Sequence, residues 1–254
     1  MSAIHHVKVA QCSARAHGSY SEHAVVQKQI CEYLLELISQ QKIPNKQDVV
    51  FEIGCGTGNL THLLQQYFDV KTYILNDLYD AVRENFQDCF QQNMSWLIGD
   101  IEQTQFPQKL NAIFSSSALQ WVKDFSHILQ QAKHALLPQG YFIFSTFGEN
   151  NLQEIKQLTG QGLTYLDIKD IENQLKQAGF EVLFMQEQII QMGFEHPREV
   201  LQHLKATGVT ATSNQFRWTK QSLADFYKNY EQFKMNHQQY SLTYHPIYCI
   251  ARSI

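Results

Sequence analysis

Three glycines alternate along Glu52-Ile53-Gly54-Cys55-Gly56-Thr57-Gly58, and an acidic residue, Asp77, follows about twenty positions on. Glycines so spaced let the chain turn tightly and let a ligand touch backbone where a Cβ would collide. A helix that starts directly after them offers N–H groups with no partner of their own. An ionised carboxylate at position 77 can accept two hydrogen bonds at once, as a ribose diol requires. It can equally cap a helix beginning near Leu78. The chemistry indicated is the holding of a nucleotide-like cofactor. In the dinucleotide pattern G-x-G-x-x-G a third glycine would stand at position 59, and Asn59 occupies it.

These residues need a frame. Val49 to Ile53 is a β-branched and aromatic run that reads as a buried strand, and Leu60, Leu63, Leu64 and Tyr67 recur at helical spacing. Thr72–Leu75 is a second strand ending at Asn76-Asp77, Ser95 to Ile101 a third with its exit, and Asn111–Phe114 a fourth that leads into Ser115-Ser116-Ser117. Leu129, Ala132, Leu136 and Leu137 form a helix stopped by Pro138-Gln139-Gly140, before a fifth strand, Tyr141–Thr146. Such alternation predicts a doubly wound, mostly parallel α/β sheet with its ligand at the carboxyl ends of the strands, beside the first one.

Flanking this frame, a helix from about Ser21 carries Val26, Ile30, Leu34 and Leu37 on one face and ends before Ile43-Pro44. Residues 167–178 read as a helix ending at Gly179, Phe180–Ile190 as a long strand and Ser241–Ala251 as the last strand. About fifty residues separate those two strands, where a hairpin would need only a few. They hold one helix over Arg198–Ala206 and a second whose buried face is Leu223, Phe226, Tyr227, Tyr230 and Phe233. We expect one domain over 1–254, with residues 1–45 as an N-terminal helical cover and 193–237 as a helical lid.

Composition sets the class. With 44% hydrophobic and 17% charged residues, the 254-residue chain can bury a sizeable core. Five scattered cysteines without a C-x-x-C pair argue for reduced thiols, a cytoplasmic setting and no metal site. No stretch approaches a membrane span, and Met1–Cys12 holds no apolar signal core, so no membrane association is expected. A net charge of −4 argues against nucleic acid as a partner.

The glycine stretch resembles the E-x-G-x-G-x-G signature of class I S-adenosylmethionine methyltransferases. Further segments narrow the likeness: Tyr20…His23-Ala24…Gln27, Leu119-Gln120-Trp121-Val122, Ser145-Thr146-Phe147-Gly148, Leu204-Lys205-Ala206-Thr207-Gly208 and Leu242-Thr243-Tyr244-His245. Together they resemble the malonyl-[acyl-carrier protein] O-methyltransferases, which open the pimeloyl branch of biotin synthesis, from about residue 13 to the C-terminus. Ser13 and Ala16-His17 depart from that pattern, in the N-terminal cover only. Asn111 stands where many relatives have Asp, and a polar strand start is all that is needed there.

The resemblance implies a Rossmann-like seven-stranded sheet with its last strand antiparallel. It implies S-adenosylmethionine as cofactor, surrounded by Glu52, Gly54, Cys55, Gly56, Gly58, Asp77, Leu78, Asp100, Ile101 and Ser115, with Gln27 and Tyr20 closing the site. Asp100 would meet the adenine amino group and Ile101 its ring. The acceptor would be the free carboxylate of malonyl on acyl-carrier protein, and the enzyme a monomer. Lys205 and His245 are candidates for holding that carboxylate; a surface lysine and a histidine buried by packing are the plain alternatives. Two other readings stay open: a methyltransferase of another small carboxylic acid, differing only in the lid, and a non-catalytic S-adenosylmethionine-binding regulator. The intact glycine motif with Asp77 and Asp100 weighs against the second. Ser115-Ser116-Ser117 disfavours nucleic-acid methylation, whose amino methylases carry Asn/Asp-Pro-Pro-aromatic there.

Overall fold

Val50, Phe51 and Ile53 are buried along β1 (Lys46–Ile53), the strand that the sheet is built around. In the computed structural model, residues 25–207, 218–235 and 238–254 are described. The chain divides into two compact units. The larger comprises Val26–Phe147, Leu166–Glu187 and Pro246–Ile254; the smaller includes Gly148–Tyr165 and Gln188–His245.

The larger unit carries α1 (Val25–Gln40), β1, α2 (Asn59–Tyr67), β2 (Asp69–Asp77), a 3₁₀ turn (Asp80–Phe86), β3 (Met94–Ile98), β4 (Leu110–Ser116), α3 (Phe125–Ala135) and β5 (Leu136–Phe147). Later in the chain it adds α5 (Ile168–Gln177), β6 (Phe180–Glu187) and β9 (Pro246–Ser253). Its sheet has seven strands in the order β3-β2-β1-β4-β5-β9-β6. Pairing is parallel from β3 through β5, and β9 runs antiparallel to both β5 and β6. The chain runs outward from β1 to β3 and then returns to place β4 on the other side of β1. That reversal makes the crevice in which α/β sheets bind ligands. One face of the sheet packs Phe51, Ile53, Ile113, Phe142, Phe144 and Cys249 against Leu129 and Ala132 of α3 and Ile171 and Leu175 of α5. Val26, Ile30, Leu34 and Leu37 of α1 are all buried, as their spacing predicts. Asn111 Oδ1 accepts from the Asp48 and Val49 N–H groups (3.1 and 2.9 Å), so an amide oxygen does the work of a carboxylate at the start of β4.

The smaller unit, where described, contains α4 (Gln153–Thr159), β7 (Ile190–Phe194), α6 (Pro197–Ala206), α7 (Lys220–Tyr230) and β8 (Tyr240–Tyr244). β7 and β8 pair as a two-stranded antiparallel sheet. α7 opens on a Thr219/Ser222 capping box and buries Phe226 and Tyr230, with Leu223 and Tyr227 half-buried; Phe233, expected on the same helix, lies half-buried in a 3₁₀ turn (Glu231–Phe233) beyond its end. The Tyr230 hydroxyl donates to Ser241 O at 2.8 Å. The buried Glu154 of α4 accepts from the Ser241 and Thr243 hydroxyls (3.0 and 2.6 Å) and from Thr243 N–H (3.0 Å), which ties α4 to β8.

Four expectations are corrected. Phe180–Ile190 is not one strand: β6 ends at Glu187, and β7 begins at Ile190 in the other sheet. Ser241–Ala251 likewise splits at His245 into β8 and β9, and β9 opens with Pro246, which has no N–H to give a ladder. Leu136 and Leu137 belong to β5 rather than α3, because Leu136 pairs with Leu110 across the sheet. Pro138-Gln139-Gly140 is then an irregularity inside that strand, with Gln139 at φ 65°. Beyond Asp77 the turn is 3₁₀ and starts at Asp80, not an α-helix from Leu78.

Candidate functional site

The glycine turn joins β1 to α2, and its three glycines do different things. Gly54, Gly56 and Gly58 all have φ between +54° and +79°, where an L side chain is strained. A Cβ on Gly54 would lie 2.4 Å from Ala118 Cβ, so this glycine lets the turn pack on the segment after β4. On Gly58 it would press on Phe86 at 3.1 Å. On Gly56 it would meet nothing within 4 Å among the described residues. Only at Gly56, then, does bare backbone face open space, the cradle that a ligand needs.

The turn is fixed before any ligand arrives. Gly56 N–H donates to Asp77 Oδ2 (3.0 Å), and Asn85 Nδ2 donates to Gly56 O (3.0 Å). Cys55 N–H donates to Asn76 O (2.9 Å), while the Asn76 side chain donates to Leu97 O and Gly99 O (2.8 and 3.1 Å). The ends of β1, β2 and β3 are thereby stitched together. Asp77 Oδ1 also accepts from Tyr79 N–H (3.3 Å), a local turn contact and not a cap, since the 3₁₀ turn that follows starts at Asp80 without a side-chain cap. Leu78 is half-buried beside it. Asp100, at the exit of β3, accepts from Glu102 N–H (3.0 Å) and Gln103 Nε2 (3.3 Å), and Ile101 is half-buried next to it.

Glu52 lies beneath the turn, on the α2 side, and is buried. Its Oε2 accepts from Tyr73 OH at 2.6 Å and Thr61 Oγ1 at 2.8 Å. Burial pushes its carboxyl up to about 7, against the two hydrogen bonds, which lower it, and the nearby Asp77 adds to the rise. Glu52 therefore shapes the floor of the turn. Burial also raises the Cys55 thiol well above its ordinary value, so Cys55 is not a thiolate nucleophile.

At the end of β4, Ser115 Oγ donates to Ile53 O (3.0 Å), closing β4 onto β1. Gln27 of α1 is buried, and among the described residues its Oε1 has no hydrogen-bond partner. Lys205 and His245 lie in the smaller unit. Lys205 is exposed in the last turn of α6. His245 is buried, and its Nδ1 accepts from Asn150 N–H (3.2 Å). Tyr20 lies outside the described residues. Among the described residues, no cluster of His, Cys, Asp or Glu forms a metal site, and no helix is long and apolar enough to cross a membrane.

Residues 23–183 match the sequence pattern of the methyltransferase-domain family. Over 246 residues the chain is 49% identical to the malonyl-[acyl-carrier protein] O-methyltransferase of Acinetobacter baylyi, covering 96% of this chain and 95% of that one. The chain belongs to the malonyl-[acyl-carrier protein] O-methyltransferase family. Bacteroides fragilis has a longer member, 40% identical over 96% of this chain, which spans half of it. Among solved structures, a candidate methyltransferase of Bacillus halodurans overlays 86% of this chain and 97% of its own, with a TM-score of 0.63 and 16% identity, a likeness of fold.

Sequence reasoning missed several residues of this family member. Tyr73 and Thr61 face Glu52 by way of strand register and helix phase, which no motif encodes. Asn76 and Asn85 hold the glycine turn through their amides; a polar Asn76 at a strand end was the one available hint. His203 is buried, with Nε2 2.7 Å from Tyr244 OH, two residues before the lysine of α6 that the motif singled out.

Proposed function

We propose that the enzyme transfers a methyl group from S-adenosylmethionine to the free carboxylate of malonyl carried on acyl-carrier protein, in the cytoplasm and as a monomer, and so starts pimeloyl synthesis for biotin. Near-full-length kinship with a protein of that name carries the reading. The open backbone at Gly56, beside Asp77 at the carboxyl ends of β1 and β2, supports the cofactor assignment. When bound, the cofactor supplies an electrophilic methyl group on a sulfonium centre. The residues present fit it: Gly56 for close approach, Asp77 for the ribose hydroxyls, Asp100 and Ile101 for the adenine, and Gln27, whose buried amide oxygen awaits a donor. Glu52, Gly54, Cys55, Gly58, Leu78 and Ser115 hold those groups in place.

A malonyl carboxylate is already ionised at pH 7, so no general base is needed. The protein's task is to place an oxygen in line with the methyl carbon, an ordering that can be worth roughly 7–11 kcal/mol. Gripping the ground state equally hard would add nothing to the chemical step. The exposed Lys205 is better suited to meeting an acidic carrier than to a dry clamp. We assign residues 193–237 to recognition of the carrier protein and Tyr20 to the acceptor side. Incubating the pure protein with methyl-labelled S-adenosylmethionine and malonyl-carrier or acetyl-carrier tests the reaction. Label should pass only to the malonyl form; label on both or on neither would reject it.

A further inference from the structure

Strand register brings a polar row to one edge of the seven-stranded sheet. Ser116 of β4 is level with Ser145 of β5, Ser145 with Tyr248 of β9, and Tyr248 with Gln186 of β6. Level residues project from one face, and α1 covers this one. The Cys31 thiol donates to Ser116 Oγ (3.3 Å), and Tyr33 OH donates to Gln186 Oε1 (3.2 Å). The Tyr33 ring meets Tyr248 edge-on at 4.9 Å. A sheet face buried under a helix is normally apolar, since unpaired polar groups are costly there.

A count of hydrogens shows what the row lacks. Ser116 Oγ and Ser145 Oγ, 2.9 Å apart, share one hydrogen bond. Their two hydroxyls carry two hydrogens, and that bond uses one. The same oxygens also receive the Cys31 thiol and the Ser117 N–H (3.2 Å). Among the described residues one O–H is thus left with no acceptor. The Tyr248 hydroxyl is buried without a partner among the described residues, as is Ser117 Oγ, on a residue held at φ 55°. Burial pushes the Tyr248 phenol far above its ordinary value, so it stays a donor. The buried amide oxygens of Gln27 and Gln120 are also unpartnered among the described residues, but neither is bonded to these hydroxyls. Nor, among the described residues, does the row hold a cation. Lys28 of α1 is exposed beside Glu32, and Arg252 of β9 pairs with Glu181 at the far end of the strand.

We propose that Ser116, Ser117, Ser145 and Tyr248 form the acceptor subsite, three spare O–H donors that hold the substrate carboxylate without a lysine or histidine. This rests on the methyl transfer proposed above. Hydroxyls bond strongly to an anion yet leave its charge on oxygen, which keeps it nucleophilic.

The test is calorimetric, on the full chain saturated with S-adenosylhomocysteine. It compares a malonyl thioester of a small thiol with the same thioester bearing a carboxamide in place of the carboxylate. The wild type should prefer the carboxylate at least tenfold. Tyr248→Phe and Ser145→Ala should each lose roughly tenfold of that preference, and S-adenosylmethionine affinity should stay within about twofold. Ser117→Ala, at a half-buried position, gives the same reading should either core variant fail to fold. Variants that keep the preference would overturn the proposal, as would equal losses of cofactor affinity, which would give the row to the cofactor. A wild type that shows the preference but never methylates the malonyl thioester would uphold the subsite and reject the reaction.

Discussion

The glycines of one turn answer to different constraints, and substitutions should separate them. Gly54→Ala puts a methyl group 2.4 Å from Ala118 Cβ, so it should destabilise the fold by about 1–3 kcal/mol. Ala118→Gly should restore part of that loss in thermal unfolding. At Gly56 a Cβ has no described atom within 4 Å, and for Gly56→Val the φ of +54° should cost only about 1–2 kcal/mol. Its consequence should appear instead as abolished S-adenosylmethionine binding in calorimetry. Glu52 gives a pH signature. Its carboxyl rises from 4.5 to about 7 on folding, so its favourable contribution is complete below the lower value and is lost as pH rises through the upper one. Relative to Glu52→Gln, the wild type should lose roughly 2–4 kcal/mol of unfolding free energy between pH 4.5 and 7.5. A difference between the two proteins that is flat with pH would mean that Glu52 ionises freely where it sits.

Among the elements, the glycine turn, the strands on either side of it and the apolar face of α1 were legible, because period and turn chemistry are local. The splits at Gln188-Ile189 and at His245-Pro246 were not. Apolar patterning runs on through both points, and which sheet a segment joins depends on pairing partners far away in sequence. The same holds for Leu136-Leu137, whose helical spacing yields to the partner Leu110. Within the site, the glycines and acids follow a sequence signature. Tyr73, Asn85 and Tyr248 could not be found from sequence, since each matters through register or phase. In the smaller unit Glu154 is the tie between α4 and β8, and Glu154→Ala leaves three donors unpaired. Hydrogen exchange should then accelerate across β7 and β8, while β1 and β4 keep their protection. Uniform acceleration through both units would show a single cooperative body.

For the molecule as a whole, charge is uneven. Residues 193–237 hold six basic residues, Arg198, Lys205, Arg217, Lys220, Lys228 and Lys234, against four acidic ones, Glu195, Glu199, Asp225 and Glu231. In a chain of net −4 that stretch carries +2 and the remainder −6. A basic insertion on an acidic body suits the steering of an acidic carrier. Reversing Arg217, which lies outside the described residues, and Lys220 to Glu should lower kcat/KM for malonyl-carrier several-fold. The loss should fade with added salt, because exposed charges are screened beyond about 8–10 Å at 0.1–0.15 M. A small malonyl thioester should be turned over unchanged; equal losses on both substrates would place the insertion's role in shaping the site.

That the nucleophile is a carboxylate which arrives already ionised is tested most directly by single-turnover methyl transfer to malonyl-carrier from pH 6 to 8. The expected product is a base-labile methyl ester, formed at a rate that is level across the range, since no base need titrate there. A rate climbing about tenfold per pH unit, or a methyl group that survives base treatment, would put the methyl group on a hydroxyl or amine and contradict the account.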